Sequence, residues 1–139
     1  MNKELVHRRS ISYSHFRRNP GFIKTYWTDI DCIELRRKNG TVEPVMVKEI
    51  KIGLHSWPTA FQHKVLRMLA THLHVPYMLV QLDVIDPNRD DEENIKKIRI
   101  LDGMQLEVEG ERGNIKVLKY PTNILEKTRE EYMSWVNNL

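Results

Sequence analysis

The chain has 139 residues, of which 29% are charged and 40% hydrophobic, with a net charge of +3 and a pI of about 9.0. This length favours a single domain with a real core, and the composition excludes a disordered chain. No segment approaches the ~18 consecutive apolar residues of a membrane helix, and no signal-peptide pattern opens the chain. The lone Cys32 excludes an intrachain disulfide and is expected to be a small buried residue of a strand. We therefore expect a cytoplasmic protein with no membrane partner.

The N-terminal region is basic and leads into a strand hairpin. Its cations outnumber its single acid, Glu4, and are Lys3, Arg8, Arg9, Arg17, Arg18 and Lys24. A short helix is predicted over 9–18. Strands follow at 28–37 and 44–52, joined by the turn signal Lys38-Asn39-Gly40.

The middle of the chain reads as a helix followed by a central strand. Pro58-Thr59 opens the helix, which runs to about His74 with an apolar stripe at Phe61, Val65, Leu69 and Leu73. The run YMLVQLDVI at 77–85 is nearly continuously apolar, as in a strand covered on both faces. An acidic loop over 86–94 follows and is expected to lie away from any polyanion.

The C-terminal part predicts three short strands, at 95–101, 104–109 and 115–119, and a helix over 122–136. The expected fold class is α/β, with a mixed sheet flanked by helices. We predict one domain over 1–139, with a core at about 10–85 and accessory strands and helix at about 95–138.

Acidic and basic side chains interrupt the two strands of the hairpin. Asp29 and Asp31 lie in the first strand, and Glu49 and Lys51 in the second. Because residues i and i+2 of a strand share a face, Glu49 and Lys51 project together. Carboxylates hold Mg²⁺ or Mn²⁺, and a lysine stabilises charge developing on a phosphate. The combination is typical of metal-assisted phosphodiester hydrolysis.

The hairpin turn decides whether the aspartates share the face of Glu49. A three-residue loop sets Asp29 opposite Glu49, with Asp31 diagonal on the same face. A two-residue Asn39-Gly40 loop sends both aspartates to the other face. The metal hypothesis therefore requires an odd-numbered loop or a bulge.

This order of elements and residues resembles the PD-(D/E)xK nuclease superfamily, most closely its RecB-like and archaeal Holliday-junction-resolvase-like members. The resemblance covers about 27–85 and is carried by Asp31, by Glu49-Ile50-Lys51 and by Gln62 on the following helix. Ile30 stands where the family's proline precedes the aspartate, and Leu66 where a tyrosine follows the glutamine.

The resemblance implies a restriction-endonuclease-like fold and a metal-dependent deoxyribonuclease with little sequence specificity. Asp31 and Glu49, with Asp29 as a further candidate, would hold Mg²⁺ or Mn²⁺. Lys51 would orient water or stabilise charge, and Gln62 would support the site. By analogy with small resolvase-like members, a homodimer is expected.

A nuclease also needs phosphate contacts. The predicted DNA-binding cations are Arg8, Arg9, Arg17, Arg18, Lys48 and Lys64. His55 or His63 is a further candidate for a phosphate contact, whereas a zinc site is not expected. Trp57 is expected to pack in the core or its rim, with base stacking as the alternative.

Two other readings of the function stay open. One is a non-catalytic nucleic-acid-binding protein on the same fold. The other is an assembly subunit without either activity.

Overall fold

The computed structural model describes Phe16, Pro20 and residues 32–139. Within 32–139 the chain forms seven strands and two α-helices around a mixed sheet, so the α/β class is confirmed. The strands are β1 Cys32–Lys38, β2 Thr41–Ile52, β3 Tyr77–Val84, β4 Ile95–Asp102, β5 Glu107–Glu109, β6 Lys116–Lys119 and β7 Ile124–Lys127. The helices are α1 Ala60–Leu73 and α2 Arg129–Asn137, and a 3-10 turn covers Glu92–Asn94.

Five strands form the main sheet in the order β1-β2-β3-β4-β7. Only β2 and β3 are parallel, because α1 connects them as a crossover, and every other neighbouring pair is antiparallel. The remaining strands, β5 and β6, pair with each other in a separate hairpin.

Elements cover both faces of the sheet. On one face, α1 buries Leu66 and Ala70 against Val47 and Tyr77. The β5–β6 hairpin packs on a second cluster, formed by Leu79, Leu101 and Leu106. On the other face, α2 sets Tyr132 and Trp135 against Val80, Ile98 and Ile100. The sheet therefore has an α1 face and an α2 face, and side chains alternate between them along each strand.

The hairpin between β1 and β2 combines a two-residue turn with a bulge. Asn39 and Gly40 both adopt left-handed backbone conformations, with φ of 53° and 80°, as a type I′ turn requires. Lys38 pairs with Thr41, but the register shifts beside Glu34, where the pairing steps from Met46 to Pro44. Pro44 has no N–H to donate, so a bulge is a position that suits it.

The bulge changes which β1 side chains share a sheet face with Glu49, and so reverses the effect of the two-residue turn. Beyond it Cys32 pairs with Lys48 and Ile33 with Val47. Ile33 and Val47 therefore point to the same face as Glu49, whereas Cys32 and Glu34 share the face of Lys48. Of the two loops considered, the two-residue Asn39-Gly40 turn is present, together with the bulge that the metal hypothesis then requires.

Helix α1 has the predicted bounds, and its predicted apolar stripe meets the core in part. Leu69 and Leu73 are half-buried and pack against the core, Val65 is half-buried, and Phe61 is 40% exposed. The fully buried side chains of the helix are His63, Leu66 and Ala70. The four-residue spacing drifts around a helix of 3.6 residues per turn, so its first member no longer faces the sheet. Thr59 caps the helix by accepting a hydrogen bond from the Gln62 N–H at 3.1 Å.

The C-terminal helix is shorter than expected. Residues Ile124–Lys127 form β7, which hydrogen-bonds to the otherwise open edge of β4. The helix begins only after Thr128, which forms a capping box with Glu131. The pairing opportunity at an open strand edge is a tertiary effect, so local helix signals gave no indication of it.

Candidate active site

Three of the predicted site residues meet at the carboxyl end of β2. Glu49 Oε1 lies 3.2 Å from Lys51 Nζ and accepts a hydrogen bond from Gln62 Nε2 at 2.8 Å. Lys51 Nζ also lies 3.4 Å from Gln62 Oε1. We call these three side chains the Glu49 cluster. Gln62 on α1 is 11 positions from Lys51 and 13 from Glu49, both on β2, and the three side chains form one triangle of polar contacts.

Each member reaches the cluster for a local reason. Glu49 and Lys51 share a strand face because their separation is two residues. Gln62 occupies the third position of α1, where the glutamine of a capping box usually reaches back to the N-cap. Here its side chain reaches Glu49 instead, and the Thr59 hydroxyl alone serves the cap.

Burial makes the Glu49 carboxylate energetically demanding. Its side chain is 2% exposed, whereas that of Lys51 is 24% exposed. A carboxylate removed from water costs several kcal/mol unless charge and hydrogen bonds compensate it. Lys51 and Gln62 provide part of that compensation, and Lys51 still reaches solvent. The carboxylate of the cluster is therefore shielded from solvent, whereas its ammonium group is partly exposed.

A second polar side chain lies next to Lys51. Gln81 on β3 pairs with Lys51 in the parallel ladder and is fully buried. Its Nε2 donates to the Ser56 carbonyl at 2.9 Å, which fixes the connection between β2 and α1. Its Oε1 has no hydrogen-bond partner among the described residues. Sequence reasoning missed Gln81, although a glutamine inside the apolar run 77–85 was a visible signal.

A buried Tyr–His pair lies behind the cluster, where Tyr77 Oη is 3.0 Å from His63 Nδ1. His63 Nε2 is 2.6 Å from the Leu106 carbonyl, an obligate acceptor, so Nε2 donates and Nδ1 accepts from Tyr77. Burial, and then the charge of Glu49, raise the pKa of Tyr77. Burial lowers the pKa of His63. The pair is neutral at pH 7, and His63 is not the phosphate contact considered from the sequence, because it is 4% exposed.

Lys48 faces away from the Glu49 cluster. It is 2% exposed, and its Nζ lies 2.5 Å from Glu34 Oε1 and 2.8 Å from Tyr132 Oη on the α2 face. Burial lowers the pKa of Lys48, but the hydrogen bonds to Glu34 and Tyr132 outweigh it and the net pKa is raised. This placement argues against the predicted phosphate contact, because strand alternation and the bulge direct Lys48 into the structure.

The other predicted cations and acids divide into two groups. Lys64 is exposed on α1, and His55 is exposed in the connection before it, so both remain accessible. Asp29, Asp31 and the arginines Arg8, Arg9, Arg17 and Arg18 lie outside the described residues. Of the short helix predicted over 9–18 the structure describes only Phe16, which is helical and 61% exposed. Cys32 is half-buried and not fully buried as expected, and its Sγ donates to Glu34 Oε1 at 3.7 Å.

The described residues contain only part of a metal site. No group of three His, Cys, Asp or Glu side chains suited to a metal occurs within 32–139. Glu49 contributes a carboxylate and Gln62 an amide oxygen, both of the hard oxygen type that Mg²⁺ prefers. Mg²⁺ commonly takes only one or two carboxylates and completes its shell with water and substrate phosphates. The donor chemistry fits such a cation, provided that a second carboxylate joins Glu49.

Comparisons with protein-family models, with curated proteins and with solved structures find no match for this chain. No helix in the described part of the chain is long and apolar enough to cross a membrane. The function is therefore argued from the site itself.

Proposed function

We propose that this protein is a divalent-metal-dependent nuclease that hydrolyses phosphodiester bonds of DNA. The observation that carries the proposal is the Glu49 cluster, in which a buried carboxylate, a half-exposed lysine and a helix-borne glutamine meet at the end of a parallel strand. Ligands of open α/β sheets bind beyond the carboxyl ends of such strands. The cluster lies at that end of β2, which stops at Ile52.

The order of the elements supports the restriction-endonuclease-like version of the α/β fold as part of the proposal. An antiparallel hairpin, a crossover helix and a parallel strand follow one another as β1, β2, α1 and β3. The resemblance to PD-(D/E)xK nucleases rests on the same segment. DNA as the substrate and a homodimer as the working form are parts of the same proposal.

The proposed second carboxylate is that of Asp31. Ile33 pairs with Val47 on the face of Glu49. Asp31 precedes Ile33 by two residues in the sequence, the separation at which strand side chains share a face, so Asp31 is the acid proposed to join Glu49. Asp29 is the further candidate. The bulge beside Glu34 places Ile33 on the face of Glu49 despite the two-residue turn.

The chain's own residues have separate roles in the proposed reaction. A divalent cation bound by Glu49 and Asp31 would supply Lewis acidity and lower the pKa of a water molecule. Gln62 holds the Glu49 carboxylate in one orientation. Lys51, whose ammonium is partly exposed, places positive charge where negative charge develops on the phosphate. Gln81 holds the adjacent connection in place through Ser56.

The test is cleavage of linear duplex, circular duplex and single-stranded DNA with Mg²⁺, with Mn²⁺ or with EDTA. We expect metal-dependent cutting by the wild type and its loss, by about 10³-fold or more, in Glu49→Gln and Lys51→Met. DNA binding should survive in both variants. The matched control is Glu43→Gln, which makes the same chemical change on the same strand about 20 Å away.

Two results would overturn the proposal. Glu49→Gln could cut as fast as the wild type, which would remove the cluster from the chemistry. Alternatively, the wild type could cut no substrate with either metal. Metal-independent DNA binding with a steep salt dependence would then favour the non-catalytic nucleic-acid-binding protein.

A further inference from the structure

An aromatic pair lies on the same sheet face as the Glu49 cluster. Trp57 belongs to the connection between β2 and α1, and Tyr120 follows β6. Their ring centroids are 5.6 Å apart and their planes meet at 77°, an edge-to-face contact. Trp57 is half-buried, whereas Tyr120 is 57% exposed. One ring therefore anchors the other, and the outer ring is open to solvent.

The pair lies close to the Glu49 cluster. Trp57 packs against the apolar cluster that contains Leu79, and Leu79 is the cross-strand partner of Glu49. Neighbouring strands are about 4.8 Å apart, so the apolar cluster under Trp57 adjoins the strand that carries Glu49. Trp57 also lies between Lys51 and Gln62 in the chain. The aromatic surface is thus next to the proposed reaction centre and on its side of the sheet.

A groove with two cations lies between α1 and the β5–β6 hairpin. Lys64 and Arg67 line it from the helix, and Leu118 lines it from β6. The groove has a volume of about 460 Å³, and Glu107 is the one acid among the described residues that line it. Leu118 is 53% exposed and lies two residues before Tyr120. The chain therefore leads from the apolar wall of the groove to the open aromatic ring within two residues.

Such a surface matches single-stranded nucleic acid by chemistry. Bases of a single strand stack on exposed aromatic side chains, while cations along a groove contact the phosphates. Bases within a duplex stack on one another, so their faces are not available to Tyr120. A protein partner docking on Tyr120 would leave the cations Lys64 and Arg67 unexplained. A purely structural role for Tyr120 would leave the groove unexplained.

We propose that Tyr120, supported by Trp57, stacks on an unpaired nucleobase whose flanking phosphates contact Lys64 and Arg67. This inference deepens the proposed function and rests on it, since it assigns single-stranded or frayed segments as the preferred substrate. The ring would hold one base in place beside the site where the neighbouring phosphodiester is cut.

The test is binding in EDTA, where no cleavage occurs, measured by fluorescence anisotropy with three labelled probes. The probes are an oligothymidylate, a strand of equal length made of abasic residues, and a blunt duplex. We expect the wild type to prefer the oligothymidylate. Tyr120→Leu should weaken that binding about tenfold or more and leave the abasic strand unaffected, because only the base contact is lost.

Four further variants separate the loss of stacking from other effects of a substitution. Tyr120→Phe and Tyr120→Trp retain a ring and should bind the oligothymidylate as the wild type does. Met133→Leu, an exposed apolar change on α2, is the control for general surface effects. A thermal unfolding curve of each variant checks that the chain folds. Lys64→Gln should weaken oligothymidylate and abasic binding equally, because both carry phosphates.

Failure of this inference is distinguishable from failure of the proposed function. Equal affinity for the oligothymidylate and the abasic strand, unchanged in Tyr120→Leu, would overturn the stacking site even if the protein cuts DNA. A duplex bound more tightly than the oligothymidylate would overturn it as well. Base-dependent binding with no cleavage under any metal would instead support the stacking site and reject the nuclease.

Discussion

Two ion pairs with the same nitrogen-to-oxygen distance lie in very different environments and allow a sharp stability prediction. Lys48–Glu34 and Arg36–Glu43 are both 2.5 Å long. In the first pair the side chains are 2% and 28% exposed, and in the second 47% and 43% exposed. The shortest nitrogen-to-oxygen distance is matched, and the two pairs differ in burial and in the cation, which is lysine in one and arginine in the other.

The perturbation is the loss of the acid in each pair. In Glu34→Ala the buried ammonium of Lys48 keeps, among the described residues, Tyr132 Oη and the faces of the Tyr132 and Trp135 rings, at 5.0 Å and 6.0 Å. Removing one partner of a fully buried pair costs about 3–5 kcal/mol. Glu34 is partly exposed and water can enter the gap, so we expect a loss of about 2–3 kcal/mol. Glu43→Ala should cost less than about 1 kcal/mol because its pair is in water.

The assay is urea unfolding followed by tryptophan fluorescence, for which Trp135 is a reporter close to Lys48. The double variant Glu34→Leu/Lys48→Met removes both charges of the buried pair together. Replacing both charges by apolar groups should recover most of the loss, because no unpaired charge is left behind. Equal losses for Glu34→Ala and Glu43→Ala would refute the reasoning, and so would a double variant less stable than Glu34→Ala.

The same pair has a pH dependence of defined sign. The pKa of Lys48 is raised in the folded protein. A raised lysine pKa stabilises the fold fully below the unfolded value of about 10.4, and this contribution is lost as the pH rises through the folded pKa. We therefore expect the difference between wild type and Lys48→Met to change only in the alkaline range.

Two other predictions concern the buried layer under α1. Gly103→Ala would place a Cβ 2.5 Å from the Tyr77 ring, so we expect a loss of about 1–3 kcal/mol in urea unfolding. A Gly103→Ala variant as stable as the wild type would contradict the packing. The lowered pKa of His63 predicts that stability is complete above the unfolded value near 6.5 and falls as the pH drops through the folded pKa. His63→Asn should flatten that decline between pH 7 and about pH 5, and an unchanged decline would assign it to other groups.

Local rules in the sequence were sufficient for much of the site. The two-residue spacing of Glu49 and Lys51 fixes their common face wherever the strand lies. Thr59 marks the start of α1, which in turn sets Gln62 in the first turn of the helix. The apolar run 77–85 predicted a central strand, and β3 is that strand.

The tertiary structure decided the remaining features. The bulge beside Glu34 determines which β1 side chains share the face of Glu49, and it depends on where Pro44 meets its partner strand. The crossover through α1 brings Gln62 to Glu49, and no local signal encodes that distance. Residues 124–127 form a strand because β4 offers an open edge.

Lys48 shows the same division most clearly. Lys48 stands beside an acid in a strand, a context that predicts an exposed cation. Strand alternation alone places its side chain on the sheet face opposite to that of Glu49. Only the packing of α2 supplies the Tyr132 hydroxyl and the aromatic rings that allow an ammonium to be buried. The local sequence determines the chemistry of each side chain and the strand or helix face on which it lies. Long-range contacts determine which partner that side chain meets. The reason is that the partners come from segments far apart in the chain, which no local pattern connects.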